Sequence, residues 1–345
     1  MLKKDIKSMK YEELETEIAA FGQPKYAAAQ IFSWLHNKNV SSFEQMTDIS
    51  KQFKQHLKDN YYISCIKIEK RLASEVDFAV KYLYRLLDDS FIESVLLSYK
   101  HGYSLCISTQ AGCKMGCSFC ATGMGGFVRD LTAAEMLLQV ETAQKDNNIK
   151  ISNIVLMGMG EPLDNILNVE KFLSIVSHEK GLNIGMRHIS VSTCGLVDKI
   201  NELALKKYQF TLSVSLHAPN DKIRNELMPI NKKWNIEALL KACRAYTKST
   251  GRRISFEYAL ISGVNDTAQC AKELSDKLKG MLCHVNLIPV NPVTETVYYK
   301  SEKKAMMQFL QALQKNGINA TLRRTLGSDI NASCGQLRNE GGNIS

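Results

Sequence analysis

From residue 104 onward the chain repeats one pattern six times: a short apolar, β-branched run, then a longer amphipathic stretch. Strands that alternate with helices in this way form parallel βα units, because a parallel neighbour is reached only through a crossover. The predicted strands are Ser104 to Thr109, Asn153 to Gly158, His188 to Thr193, Thr211 to Leu216, Ile254 to Ile261 and His284 to Val290. Helical periodicity fills intervals between them at Ala133 to Lys145, Asn168 to His178, Ile236 to Lys248 and Ala268 to Leu278. The first of these helices carries its own start signal. In Thr132-Ala-Ala-Glu135 the hydroxyl and the carboxylate each satisfy a backbone N–H that a helix start leaves unpaired. Six βα units make an α/β fold of the open or partial barrel kind, a partial (β/α)6 barrel.

The first hundred residues read differently. Amphipathic stretches predict helices over Tyr11 to Phe21, Lys25 to His36 (opening just after a Pro) and Phe43 to Asn60. Shorter strands follow at Tyr61 to Glu69, Asp77 to Tyr84 and Ile92 to Ser98. The change of pattern near Tyr99 divides the chain into a mostly helical accessory unit over 1–98, a barrel over 99–328 and a C-terminal loop over 329–345.

The chemically unusual residues gather at the C-terminal ends of the barrel strands. Cys113, Cys117 and Cys120 follow the first strand and Gly160-Glu161 the second; Ser192, Ser215 with His217, and Asn291 end the third, fourth and sixth. That rim is where βα barrels assemble active sites. With 45% hydrophobic and 23% charged residues, the 345-residue chain is globular, which excludes collagen-like, coiled-coil and disordered classes. The basic start MLKKDIKSMK runs into acidic YEELETEIAAFG, where an export signal needs an apolar stretch, and no run reaches membrane-spanning length. A cytoplasmic protein with no membrane partner is expected, so its ten cysteines point to metal or catalysis before disulfides.

Gly112-Cys-Lys-Met-Gly-Cys-Ser-Phe-Cys-Ala-Thr-Gly123 sets three thiols at Cys-x3-Cys-x2-Cys spacing in one glycine-flanked loop. Three thiolates suit a [4Fe–4S] cubane with one iron left open for a substrate or cofactor. The competing reading is structural zinc, with His101 or a similar residue as fourth ligand in an RNA-binding module without catalysis. Gly158-Met-Gly160 is a poor dinucleotide motif, because Leu163 stands where a third glycine belongs.

This spacing, after the first strand of a partial barrel, resembles the radical S-adenosylmethionine (SAM) superfamily. Met157-Gly-Met-Gly-Glu-Pro162, Ser215-Leu-His-Ala-Pro219, Met228-Pro-Ile-Asn231, Gly263-Val-Asn-Asp266, Val285-Asn-Leu-Ile-Pro289 and Cys334-Gly-Gln-Leu337 narrow the resemblance to the RlmN/Cfr family. Gln23-Pro-Lys-Tyr26 and Gln30-Ile-Phe-Ser-Trp34 resemble that family's accessory domain. Asn331 and Ser333 stand where its members usually have Asp and Ala.

The resemblance implies a radical SAM RNA methyltransferase that uses two SAM per turnover. By it, Cys113, Cys117 and Cys120 hold the [4Fe–4S] cluster, and Gly160, Glu161, Ser192, Ser215, Leu216, His217 and Asn291 bind SAM. Cys334 accepts a methyl group, a radical formed from that group adds to adenine C2, Glu93 takes a proton, and Cys106 releases the adduct by forming a disulfide with Cys334. The implied substrates are adenosine 2503 of 23S rRNA and adenosine 37 of tRNA, with a flavodoxin-type electron donor; the alternative is the Cfr-type C8 methylation of the same rRNA adenosine. Cys65, Cys194, Cys243, Cys270 and Cys283 match no family role. The net charge of +9 favours a polyanionic partner, and residues 221–253 concentrate nine Lys/Arg against three Asp/Glu, interleaved with Trp234 and Tyr246.

Overall fold

The strand pattern forms one open sheet of ten strands. A computed structural model describes residues 3–291, 293 and 296–337. The chain opens with β1 (Lys4–Asp5), the helices α1 (Tyr11–Ala20), α2 (Lys25–His36) and α3 (Lys51–Asn60), and β2 (Tyr61–Tyr62), which pairs with β1. An antiparallel run follows: β3 (Lys67–Ala73), β4 (Val80–Arg85), β5 (Phe91–Tyr99) and β6 (Gly102–Cys106). A separate hairpin of β7 (Gln110–Gly112) and β8 (Phe127–Asp130) encloses the short helix α4 (Ala121–Met124).

Beyond it, α5 (Ala133–Asn147), β9 (Ile151–Leu156), α6 (Ile166–Val176), β10 (Ile189–Thr193), α7 (Val197–Lys206) and β11 (Thr211–Ser215) alternate. Then come α8 (Asp221–Leu227), α9 (Ile236–Thr250), β12 (Ile254–Leu260), α10 (Ala268–Leu278), β13 (Cys283–Pro289), α11 (Lys303–Lys315) and β14 (Ala320–Leu322). In the sheet, β6, β9, β10, β11, β12, β13 and β14 are successive parallel neighbours, so the six expected units stand. β14 is a seventh parallel strand, too short at three residues to show a period in the sequence.

Three expectations change at the N-terminal end. The helix expected over Phe43 to Asn60 is a 3-10 turn at Phe43–Gln45 and then α3, because Ser50 restarts the helix by accepting from Phe53 N–H. The strand expected over Tyr61 to Glu69 is divided between β2 and β3, which belong to different sheets. The boundary near Tyr99 falls at the turn of a hairpin: β5 pairs with β6 from Val95 against Cys106 to Tyr99 against Gly102. Residues 67–98 therefore extend the barrel sheet, since the edge of β6 needs a hydrogen-bonded neighbour.

Leu105, Ile154, Val191, Leu212, Val214 and Phe256 are fully buried in the sheet. Each such side chain contributes about 1.5–3 kcal/mol relative to exposure. The helical unit docks on α5 through charge: Lys7 Nζ lies 2.7 Å from Glu141 Oε2, both buried, with His36 beside the same carboxylate. Lys7 also donates to Leu35 O and Asn39 Oδ1, which satisfies the ammonium inside the interface. Among the described residues no helix is long and apolar enough to cross a membrane.

Candidate active site

The β7–β8 hairpin pinches the cysteine loop shut at its base. Cys113 N–H donates to Gly126 O, and Gly112, at φ +78°, lies so close that a Cβ there would meet Gly126 O at 2.0 Å. Gly160, at φ +100°, likewise leaves no room for a side chain against Gln110. Across this contact Gln110 Oε1 accepts from Glu161 N–H, and Gln110 Nε2 donates to Asp130 and Asp164. The glycines thus let the loop after β9 press on the base of the cysteine loop.

Cys113, Cys117, Cys120, Gly160, Glu161, Ser192, Ser215, His217 and Cys334 line one cavity of about 960 Å³. Cys106, Asn291, Cys334 and Cys120 line a second of about 690 Å³, with Tyr99, Arg323 and Arg324. Cys334 and Cys120 belong to both. The expected site residues are therefore brought together with two exceptions. Leu216 is fully buried and lines neither cavity: alternation along β11 turns it away from the face that presents Ser215, and its N–H and C=O bond Glu257 and Arg224. Glu93 also lines neither; it is buried on β5 as the ion-pair partner of Lys81, at 2.8 Å.

Burial pushes the Cys113 thiol up to about 11 and raises Cys117, and repulsion from Cys120 acts in the same direction on both. Thiols close enough to repel one another as thiolates form a donor set that cationic iron would relieve, so these residues fit a cluster. Among the described residues, no group of three His, Cys, Asp or Glu converges as a single-ion site. Glu161 is buried and its carboxylate is raised by burial; it accepts from Leu163 N–H and, at 2.7 Å, from Cys194 N–H, which ties β9 to β10. His217, at φ +54°, accepts from Ala259 N–H through Nδ1 and stands edge-on to Phe119 of the cysteine loop. Burial, reinforced by Arg224, lowers its pKa to about 3, so the ring is neutral and carries its proton on Nε2.

The C-terminal loop is held from several sides. Asn291 Nδ2 donates to Cys334 O, Ala121 N–H to Gly335 O, Thr122 Oγ1 to Leu337 O, and Lys81 Nζ to Asn331 O. The β3–β4 turn grips it as well, through Ser74 Oγ and Glu75 N–H to Asp329 and Gly327 N–H to Asp77. The unusual Ser333 fits by donating to Leu326 O, and Asn331 takes a left-handed turn at φ +49°. Residues 338–345 of the expected loop lie outside the described residues.

Cys106 and Cys334 are both free thiols, and burial first, then the neighbouring Cys334, pushes Cys106 up to about 12. The sequence reading missed Arg323, whose Nη1 donates to Cys334 Sγ at 3.4 Å. It also missed Arg224, which is fully buried and donates to Leu216 O, Cys194 O and Asn231 Oδ1, and so is lost to any phosphate contact by the basic stretch. Tyr246 of that stretch is core.

The model of the radical SAM superfamily matches residues 107–271, and that of the ribosomal RNA large subunit methyltransferase N-terminal domain matches residues 4–63. A protein of Thermoanaerobacter sp. (strain X514) named as a probable dual-specificity RNA methyltransferase RlmN is 52% identical over 97% of each chain. One of the same name from Lachnospira eligens is 49% identical over 97% of this chain and 96% of its own. The crystal structure of a radical SAM methyltransferase from Sphaerobacter thermophilus superposes with a TM-score of 0.92 at 41% identity, covering 98% of this chain and 100% of that one. The chain belongs to the RlmN family. RlmN proteins are radical SAM enzymes, with a [4Fe–4S] cluster and SAM as cofactors. In this chain three thiols and the wall of one cavity lie together at the rim of the barrel.

Proposed function

We propose that this enzyme methylates C2 of adenosine 2503 in 23S rRNA and of adenosine 37 in tRNA, with Cys334 carrying the methyl group. The observation that supports it is the position of Cys334, on the wall common to the cysteine-lined cavity and the cavity that contains Cys106. Cys113, Cys117 and Cys120 would hold the cluster, and Gly160, Glu161, Ser192, Ser215 and neutral His217 the cosubstrate. Together these groups supply the one-electron chemistry that a carbon as poorly nucleophilic as adenine C2 requires. Asn291 acts on the carrier, by fixing the Cys334 backbone. Cys334 would accept the methyl as a nucleophile. Once that carbon is joined to the base, the Cys106 thiolate would attack the Cys334 sulfur and form a disulfide as the S–CH2 bond breaks. The electron pair of that bond would go to the carbon, which takes a proton to become the new methyl. Glu93, the proton acceptor that the family resemblance implies, is paired with Lys81 and lines neither cavity, so it would take the C2 proton only through an intervening group.

The helical N-terminal unit would recognise folded RNA, the barrel with the strands of residues 67–98 that extend it would perform the chemistry, and 329–345 would carry the methyl. A target base must leave its stack to reach the cavity, so recognition by shape suits the task. The reaction belongs in the cytoplasm, with a flavodoxin-type protein as electron donor. Nucleosides from rRNA and tRNA of cells lacking their own C2 methyltransferase, with and without this protein, test the reading by mass spectrometry. 2-Methyladenosine in both RNAs is expected; 8-methyladenosine, or neither product, would contradict it.

A further inference from the structure

The sequence between β14 and the Cys334 loop matched none of the motifs, yet it places a guanidinium against the carrier sulfur. Arg323 follows β14 directly, and its N–H donates to Leu287 O at 2.8 Å, so its backbone prolongs the ladder between β14 and β13. Its side chain runs into the cavity shared by Cys106 and Cys334, where Nη1 bonds Cys334 Sγ at 3.4 Å. The loop itself is anchored by other groups, Asn291, Ala121 and Lys81. Cation and sulfur are thus carried by separately fixed parts of the protein, which is what a preset geometry requires.

The charged and titratable groups around this pair come from several elements. Cys106 faces it from β6, Tyr99 from β5 and Glu257 from β12, with Cys120 and Arg324 on the same cavity wall. Glu257 competes weakly for the guanidinium, because its carboxylate already accepts from Ser255 Oγ at 2.9 Å and Asn286 Nδ2 at 2.8 Å. The strongest influence on Arg323 is Cys334, which holds the guanidinium firmly protonated.

We propose that Arg323 is a positioning residue for methyl acceptance: it aims the Cys334 sulfur into the cavity and offers it a charge-assisted donor when that sulfur reacts as a thiolate. This rests on the reading of Cys334 as the methyl carrier. In that step the Cys334 thiol first gives its proton to solvent. A lone pair of the sulfur then forms the new S–CH3 bond as the methyl group's bond to the sulfonium sulfur of SAM breaks, leaving S-adenosylhomocysteine with that electron pair. A charge-assisted donor stabilises the thiolate before the step and has no charge to hold after it, so it favours the acceptor over the methylated product. The same cation faces Cys106 and opposes the rise of its pKa, which places it beside the second thiol when that thiol must attack.

The test uses the holoenzyme with its cluster, handled without oxygen. It is alkylated separately with iodoacetate and iodoacetamide, and the peptide bearing unmodified Cys334 is followed by mass spectrometry, with exposed Cys65 as internal reference. A cation beside the sulfur speeds both reactions and favours the anionic reagent. Arg323→Gln is expected to slow alkylation of Cys334 on the order of tenfold and to lower its preference for iodoacetate, with Cys65 unchanged, while Arg323→Lys restores most of both. Equal rates and equal preference in the wild type and Arg323→Gln would overturn the proposal. Should Arg323→Gln not fold, Arg323→Lys decides alone: retained preference for iodoacetate supports the assignment and its loss overturns it. Alkylation needs no turnover, so its failure is distinct from failure of the carrier reading, which RNA methylation by Cys334→Ala would overturn.

Discussion

Two cysteine loops meet at the rim of the barrel and are built by opposite means. The loop of Cys113, Cys117 and Cys120 is closed at its base by the β7–β8 hairpin within residues 110–130, and the backbone of distant Leu227 and Gly335 braces it at Ser118 and Ala121. Among the described residues the loop of Cys334 has no regular element beyond a 3-10 turn at Ser328–Ile330, and it is held by Ser74, Asp77, Lys81, Ala121 and Asn291. On the proposed roles, a bound cluster calls for a cage fixed once, whereas a methyl-carrying sulfur calls for a support with several separable contacts. The first loop can be read from spacing alone; the second only from the folded chain.

The largest effect separates the loops by role. Cys113→Ala, Cys117→Ala or Cys120→Ala should abolish RNA methylation together with bound iron. Cys334→Ala should abolish methylation with iron and sulfide content unchanged. Iron analysis beside nucleoside mass spectrometry checks both, and iron loss in Cys334→Ala would erase the distinction.

Next is the long-range support. Lys81→Met leaves the Glu93 carboxylate buried without its ion-pair partner and frees Asn331 O, and removing one partner of a buried pair costs about 3–5 kcal/mol. Urea unfolding of the cluster-free protein should show that loss. In the local loop, Gly112→Ala drives a methyl group into Gly126 O at positive φ, for a cost of about 1–3 kcal/mol, and should lower iron retention with it.

A smaller effect depends on pH. His217 has its pKa lowered to about 3, against about 6.5 in the unfolded chain. Between these values the unfolded chain binds the extra proton, so stability is intact above pH 6.5 and falls as pH drops toward 3, by about 1.4 kcal/mol per pH unit. His36 is lowered by burial and loses stability in the same direction, so the comparison is with His217→Gln, which should remove one proton's share of the slope. Equal slopes in the two proteins would mean that His217 is protonated in the fold.

The smallest effect belongs to the clamp at the loop's outer edge. Asp329→Ala breaks its bonds with Ser74 and Glu75 at the surface, and should leave the melting temperature unchanged while speeding amide exchange over residues 327–337. Unaltered exchange would show that the inner contacts suffice.

What was legible follows the same division. The order of the barrel strands, the cysteine spacing and the Thr132 capping box are properties of short segments and appear as expected, although the first barrel strand ends at Cys106 and not at Thr109. Leu216 could have been excluded from the cavity by alternation alone, since Ser215 faces it. Arg323 and Lys81 could not be found that way. Their partners lie 11 and 12 residues away along the chain, but on other elements, and the geometry that joins them exists only after β14 and β4 have taken their places in the sheet. The buried Lys7–Glu141 pair between α5 and the N-terminal unit escaped for the same reason.

The measurement that bears most directly on the role of Cys334 is mass spectrometry of its peptide from enzyme incubated with SAM and no RNA, beside the Cys334→Ala variant assayed for RNA product. The expected result is one methyl group on Cys334 and no methyladenosine from the variant. An unmethylated Cys334 in an enzyme that still methylates RNA, or product from Cys334→Ala, would contradict it.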